Sequence, residues 1–166
     1  MITDREEFDI NYTDPSEEGL LKKWLTWPGV LEWYPMEKES DIDLVAKNWI
    51  GFAKYKSSLT AYYKGKPVGI ATLLLMPYKK VAHHGMMYII VDPKWHRQGI
   101  GTALVRNLMH LAKTKFRIEG IHFDVYEGCP ILPLLKKLGF VELLRQEKWI
   151  KTENGYLARH LMEVKL

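Results

Sequence analysis

Between Asp92 and Thr102 the chain reads Asp-Pro-Lys-Trp-His-Arg-Gln-Gly-Ile-Gly-Thr, with glycines at 99 and 101 just where an apolar stripe of helical spacing begins. The first amides of a helix have no acceptor inside it, and the helix dipole there favours negative charge. Glycine lets a bulky oxyanion approach such a backbone closely. No acidic residue occurs between Pro93 and Ile118, whereas Lys94, Arg97, Arg106, Lys113, Lys115 and Arg117 do. A structural helix usually carries Asp or Glu in its first turn, so their omission leaves the amides open to a phosphate. A P-loop would need Gly-Lys-Ser/Thr, but Gly101 is followed by Thr-Ala. A dinucleotide fingerprint would need a third glycine at 104, where leucine stands. A tight turn that only packs helix on sheet is the plain alternative.

The elements that must hold this loop follow from periodicity. Met86–Val91 (MMYIIV) is a short continuous apolar run, suited to a strand covered on both faces. Leu104, Val105, Leu108, Leu111 and Ala112 form a helical stripe over about 102–115, and IEGIHFDVY alternates as a strand. Upstream, Asp14-Pro15-Ser16-Glu17 starts a helix that runs to about Thr26, and a second helix opens near Ser40. LTAYY and VGIATLLLM flank Lys64-Gly65-Lys66-Pro67 as a hairpin. Pro130–Leu138 reads as a short helix stopped by Gly139, and a last hairpin turns at Glu153-Asn154-Gly155. The order α, α, β, β, β, α, β, α, β, β predicts a single α/β domain over 1–166. Its central sheet is mixed and mostly antiparallel, flanked by helices, with a β-α-β crossover at its centre.

Composition sets outer limits. At 166 residues, 47% hydrophobic and 27% charged, the chain is one globular domain in size and make-up. No run approaches ~18 apolar residues, which excludes a helical membrane span. The acidic N-terminus lacks an apolar signal core, and the single cysteine, Cys129, excludes an internal disulfide and a Cys-based zinc site; a cytoplasmic location is expected. The net charge of +4 divides unevenly: residues 1–43 hold twelve acids and four bases, and residues 44–166 eight acids and twenty bases. The later part is therefore suited to an anion and the earlier part to a neutral or cationic partner.

At the residues MMYIIVDPKWHRQGIGTALV and LLKKLGFV the chain resembles the GCN5-related N-acetyltransferase (GNAT) family, most strongly from Met86 to Phe140. The resemblance implies acetyl-CoA as cosubstrate. Backbone groups of Ile89, Ile90 and Val91 would pair with the pantetheine arm as with an added strand. Amides of Arg97, Gln98, Gly99, Ile100, Gly101 and Thr102 would hold the pyrophosphate. Three positions depart from the family pattern. His96 stands where Gln or Arg is usual, Leu135 where a tyrosine often protonates the departing sulfur, and Gly128 where asparagine is common.

Acyl transfer to an amine needs a base for the ammonium, a donor for the oxyanion and a route out for the thiolate. Asp124, on the strand after the crossover where part of the family carries a glutamate, is the expected base. Tyr156, beside the last turn, and Tyr126 are candidate acids. His122 alternates with Asp124 on one strand face, His83 and His84 read as turn residues, and Cys129 as a small apolar residue. No His or acid spacing indicates a metal. Trp24, Trp27, Trp33 and Tyr34 fall in the segment where the family binds its acceptor. The expected activity is acetyl transfer from acetyl-CoA to a primary amine: a protein N-terminus, a lysine, a polyamine or a small amine, with a cationic acceptor favoured. A non-catalytic acyl-CoA-binding regulatory module is the alternative. Neither a nucleic acid nor a membrane is an expected partner.

Overall fold

The computed structural model describes residues 8–166. Its seven strands are β1 (Phe8–Tyr12), β2 (Ser58–Tyr63), β3 (Lys66–Leu75), β4 (His84–Val91), β5 (Gly120–Tyr126), β6 (Val141–Thr152) and β7 (Gly155–Lys165). They form one sheet in the order β1-β2-β3-β4-β5-β7-β6. Every neighbouring pair is antiparallel except β4 and β5. The four helices are α1 (Glu18–Leu25), α2 (Glu39–Gly51), α3 (Ile100–Thr114) and α4 (Ile131–Lys137). None is long and apolar enough to cross a membrane.

Each helix forms for a local reason. Asp14 accepts the Ser16 amide at 2.9 Å and Pro15 follows it, opening the turn that leads into α1. At α2, the Lys38 amide donates to the Asp41 carboxylate at 3.1 Å, which satisfies one free donor. α3 buries the stripe Ile100, Leu104, Val105, Leu108 and Ala112. That stripe packs with Leu73, Met87, Ile89 and Ile121 on one face of the sheet. On the other face, α1 and α2 bury Leu21, Trp24, Leu25, Ala46 and Trp49 against Ile70 and Ile90.

Two polar networks make the second face more than an apolar contact. The Trp49 indole donates to Thr72 Oγ1 at 2.7 Å, and Thr72 bonds Ser58 Oγ at 2.6 Å. Thr60 donates to the buried Glu17 carboxylate at 2.7 Å, and Tyr62 hydroxyl bonds the same carboxylate. Buried polar groups that all find partners fix one arrangement of helix on strand.

The sequence reading differs from the fold in one element. It places no strand before the first helix, whereas β1 pairs with β2 from Phe8↔Tyr63 to Tyr12↔Leu59 and makes the antiparallel meander four strands. β1 is five residues at a sheet edge, where alternation is too brief to stand out.

Candidate functional site

The parallel pairing of β4 with β5 has three rungs: His84↔Gly120, Gly85↔Ile121 and Met86↔His122. Beyond Met86 the two strands part, and β5 continues beside β7 alone. β4 therefore has an open edge from Tyr88 to Val91. On its other edge the Asp92 amide bonds the Val68 carbonyl at 2.9 Å, and in an antiparallel ladder such pairs recur at every second residue. Ile90, opposite Ile70, thus turns its N–H and C=O to β3, while Ile89 and Val91 turn theirs to the open edge. Side-chain contacts agree with that parity. Tyr34 hydroxyl donates to the Ile89 carbonyl at 2.8 Å, and His96 Nε2 to the Val91 carbonyl at 2.9 Å. The sequence reading gives all three residues the same backbone role. The register corrects this: Ile90's peptide groups are spent on β3, and only Ile89 and Val91 have N–H groups directed into the cleft.

This opening is one end of a cleft of about 1010 Å³. Its floor is β4, and its far wall includes Phe123, Asp124, Val125 and Tyr126 of β5. The loop from β4 to α3 closes one end. Asp92 caps the turn at Pro93 by accepting the Lys94 amide at 2.9 Å. Arg97 and Gly99 then take left-handed backbone, at φ +61° and +85°. At Gly99 that conformation has no side-chain penalty, whereas for Arg97 it is unusual. The earliest backbone bond within α3 runs from Ala103 N–H to the Gly99 carbonyl at 3.1 Å. The amides from Arg97 to Thr102 thus have no acceptor among the described residues, and no acid occupies the first turn. This arrangement is suited to a diphosphate. A Cβ on Gly101 would meet Leu134 Cδ1 at 3.5 Å, an ordinary contact, so the role of this glycine is to keep the helix mouth bare. His96, the departure from the family loop, pins that loop to β4.

The opposite end is roofed by the segment between α1 and α2. Trp27, Trp33 and Tyr34 line the cleft, whereas Trp24 belongs to the core beneath α1. The segment is tied down at three places. Lys94 Nζ sits 5.5 Å over the Trp27 ring, the Trp33 ring lies against Gly128, and Tyr34 reaches Ile89. Gly128, where the family often has asparagine, takes left-handed backbone at φ +84°, and a Cβ there would meet the Trp33 ring at an ordinary 3.8 Å.

Asp124 faces this end. Its Oδ2 accepts Arg159 Nη1 at 3.2 Å. Its Oδ1 is buried and has no hydrogen-bond partner in the protein. A buried carboxylate oxygen in that state favours a ligand N–H or a water. Two phenols are near enough to feel its charge. Burial, with Asp124 adding to it, holds the Tyr88 phenol above its ordinary value and pushes Tyr126 up to about 12. Both stay protonated at neutral pH and serve as donors. Burial also raises the Cys129 thiol, so this cleft cysteine is not an activated nucleophile.

The structure thus brings together Ile89, Ile90, Val91, Arg97, Gly99, Ile100, Gly101, Thr102, Asp124 and Tyr126 around one cleft. Gln98 stands in the same loop with its side chain outside the lining. Tyr156 is not brought there. It stands 53% exposed at the tip of the β6–β7 hairpin, with Lys148 Nζ 5.8 Å over its ring. Its turn was legible, but the hairpin's length carries it away from the cleft. Leu135 is fully buried in the core on the α3 side of the sheet, so the position of the family's tyrosine does not face the cleft in this chain. Sequence reasoning missed Arg159, Tyr88, Glu32 and Trp95. Arg159 lies 35 residues from Asp124, and only the register Tyr126↔Arg159 brings it near.

Comparison with known proteins follows the same lines. A model described as the acetyltransferase (GNAT) family matches residues 21–140. L-amino acid N-acetyltransferase AaaT of Escherichia coli (strain K12) is 28% identical over 108 residues, which span 61% of this chain and 66% of that one. A GCN5-related N-acetyltransferase from Kribbella flavida superposes with a TM-score of 0.81 at 17% identity, covering 98% of this chain and 100% of that one. The yncA structure from Salmonella typhimurium, solved with its cofactor acetyl-CoA, superposes with a TM-score of 0.77 at 14% identity, covering 96% and 94%. At these identities the structural likeness is one of fold.

Proposed function

The chain belongs to the acetyltransferase (GNAT) family, and from that premise we propose that it moves the acetyl group of acetyl-CoA directly to a primary amine. The observation that carries this is the parting of β4 from β5 next to a run of unused amides at the mouth of α3. An extended pantetheine arm fits the open edge, bonded by Ile89 and Val91, with its diphosphate on the amides of Arg97 to Thr102. The thioester then lies between the strands, beside Asp124.

In that pose the chemistry divides among this chain's own groups. The acceptor arrives as an ammonium, and only its neutral form attacks. An α-amino group near ~8 is partly neutral at physiological pH, whereas an alkylamine near ~10.4 is almost wholly charged, so the second depends more on a base. Asp124 Oδ1 receives that proton, directly or through a water, while Arg159 holds Oδ2. The N–H of Ile89 or Val91 meets the developing oxyanion. A full proton transfer from Tyr126, near 12, to a thiolate near ~8.5 runs uphill by roughly 5 kcal/mol, so a cleft phenol assists only as a hydrogen-bond donor; the sulfur leaves as thiolate and takes up the second proton, which the attacking nitrogen sheds as the amide forms, to give the CoA thiol.

Glu32 and Asp124 both line the acceptor end, which favours a cationic amine. The relative's name makes L-amino acids a further class to try. The experiment is an acceptor screen with acetyl-CoA, read as free thiol, across L-amino acids, polyamines, lysine peptides and peptides with varied N-termini. One amine class should release thiol and gain acetyl mass. For a cationic acceptor, KM should rise with salt, because screening acts over ~8 Å at physiological strength. A best acceptor that is acidic or salt-indifferent overturns that preference. The fully buried Leu135 favours a second reading, a non-catalytic acyl-CoA-binding module. Tight CoA binding with no thiol release toward any amine would select it.

A further inference from the structure

At the closed end of the β4–β5 ladder three residues from three strands converge. His84 stands on β4 opposite Gly120, His122 on β5 opposite Met86, and Glu163 on β7 opposite His122. One donor atom from each lies within 4.8 Å of the others. His122 Nε2 is 3.2 Å from Glu163 Oε1. His84 Nδ1 is buried and has no hydrogen-bond partner. The rings of His84 and His122 are 5.3 Å apart, and His83 packs on His84 at 4.1 Å, which fixes that ring's orientation. Gly120 keeps the centre open: a Cβ there would lie 3.4 Å from Glu163 Oε1 and 3.6 Å from His84 Nδ1.

From this cluster we propose a site for a divalent transition metal, with Zn²⁺ as the best match, held by His84, His122 and Glu163. The donors decide the class. Two borderline imidazoles with one hard carboxylate suit Zn²⁺, Co²⁺ or Ni²⁺, and the two nitrogens fit poorly with Ca²⁺ or Mg²⁺, which take oxygens. The spacing agrees. Ligands ~2.1 Å from a tetrahedral centre stand ~3.4 Å apart, close to the His122–Glu163 separation. The donor atoms, all within 4.8 Å of one another, need to close by at most ~1.4 Å, a small side-chain movement. A buried, unpartnered ring nitrogen loses its hydrogen bond to water and regains nothing from the protein. A metal supplies what it lacks. The fourth position is left to water.

The metal would act as a clamp. It joins β4, β5 and β7 across the three paired rungs, from His84↔Gly120 to Met86↔His122. Binding to the folded chain and not to the unfolded one stabilises the fold by mass action, so the metal raises the melting temperature. This inference is independent of the acetyl-transfer reading, because its test reads metal content and stability.

The test uses the whole chain stripped with chelator and dialysed against Zn²⁺ at pH 7.5. Wild type should hold one Zn²⁺ per chain by mass spectrometry and melt higher with Zn²⁺ than without. Co²⁺ in its place should give the intense visible bands of a tetrahedral site. Glu163→Gln keeps the side chain's shape and removes the anionic ligand. Its Zn²⁺ affinity should fall by at least ~100-fold, more than loss of an outer partner would cause. His122→Ala should behave likewise. His160→Gln, at the separate Glu142 pair, should bind as wild type. Equal uptake by Glu163→Gln and wild type overturns the proposal, as does wild-type uptake below one per chain in excess Zn²⁺. Loss of uptake in His160→Gln alone would place the metal at that pair and overturn it as well.

Discussion

The cofactor end of the cleft is made of backbone, and the acceptor end is made of side chains. Between the open edge of β4 and the mouth of α3, the groups that would bind are N–H donors, alternate ones along β4 and consecutive ones in the loop, the latter set by two left-handed conformations and a bare helix start. At the acceptor end the groups are Glu32, Tyr88, Asp124, Tyr126 and Arg159, brought from four separate stretches of chain. A backbone site tolerates changes of side chain and fails when charge or conformation changes. A side-chain site keeps its shape under an isosteric change and loses its chemistry.

The sharpest way to break that contrast is Asp124→Asn. The amide keeps the volume and removes the proposed base, so single-turnover transfer should fall by ~10²–10⁴-fold while acetyl-CoA affinity holds. Stopped-flow acetyl transfer and a CoA titration check the two halves separately; equal losses in both would make Asp124 part of the cofactor site.

Gly101→Glu tests the other end. Its carboxylate would sit where the diphosphate is expected, replacing an attraction of up to ~2 kcal/mol by a repulsion, so CoA affinity should drop by ~10–10²-fold. The room around Gly101 leaves the fold intact, and circular dichroism should be unchanged. CoA should raise the melting temperature of wild type and not of the variant. A full rise in the variant would remove the diphosphate from this loop.

Tyr126→Phe should have a smaller effect, a loss of about tenfold or less, since one hydrogen bond to the leaving sulfur is worth ~0.5–1.5 kcal/mol. Because the phenol titrates near 12, it is protonated throughout pH 6–10. Wild type and variant should therefore give pH–rate profiles of the same shape at different heights. A basic limb present in one profile and absent from the other would show Tyr126 exchanging a proton with solvent. Tyr156→Phe should change neither turnover nor CoA affinity, its hydroxyl being exposed at the hairpin tip. A loss there would mean that the hairpin folds over the cleft during turnover.

The same contrast explains what the sequence could reveal. The order of helices and strands, the crossover and the cofactor loop are written in neighbouring residues. The Gly99–Gly101 spacing, the acid-free stretch and the apolar run before them lie within thirty-odd positions. β1 escaped because five edge residues make a weak pattern. The acceptor end escaped in larger part. Asp124 stood out on a strand already identified, but Arg159 reaches it only through the register of β5 with β7. The histidines at 84 and 122 and Glu163 form no spacing motif at all, and they meet because three strands happen to align. Tyr156 shows the converse: a clear local turn says nothing about where the hairpin's tip ends up.

The open edge of β4 has a consequence when no cosubstrate is bound. A strand with an unpaired side invites another chain to complete it, and such edges seed aggregation. Here both carbonyls on that side are already occupied, one by the Tyr34 phenol and one by the His96 imidazole. An intruding strand would meet carbonyls that are already engaged, and would have to share or displace those bonds to build a continuous ladder. The segment carrying Tyr34 also stands across its approach. A narrow, flexible arm can exchange with two side chains one bond at a time, whereas a whole strand must displace both together. The edge is thus easier for a small ligand to complete than for a whole strand.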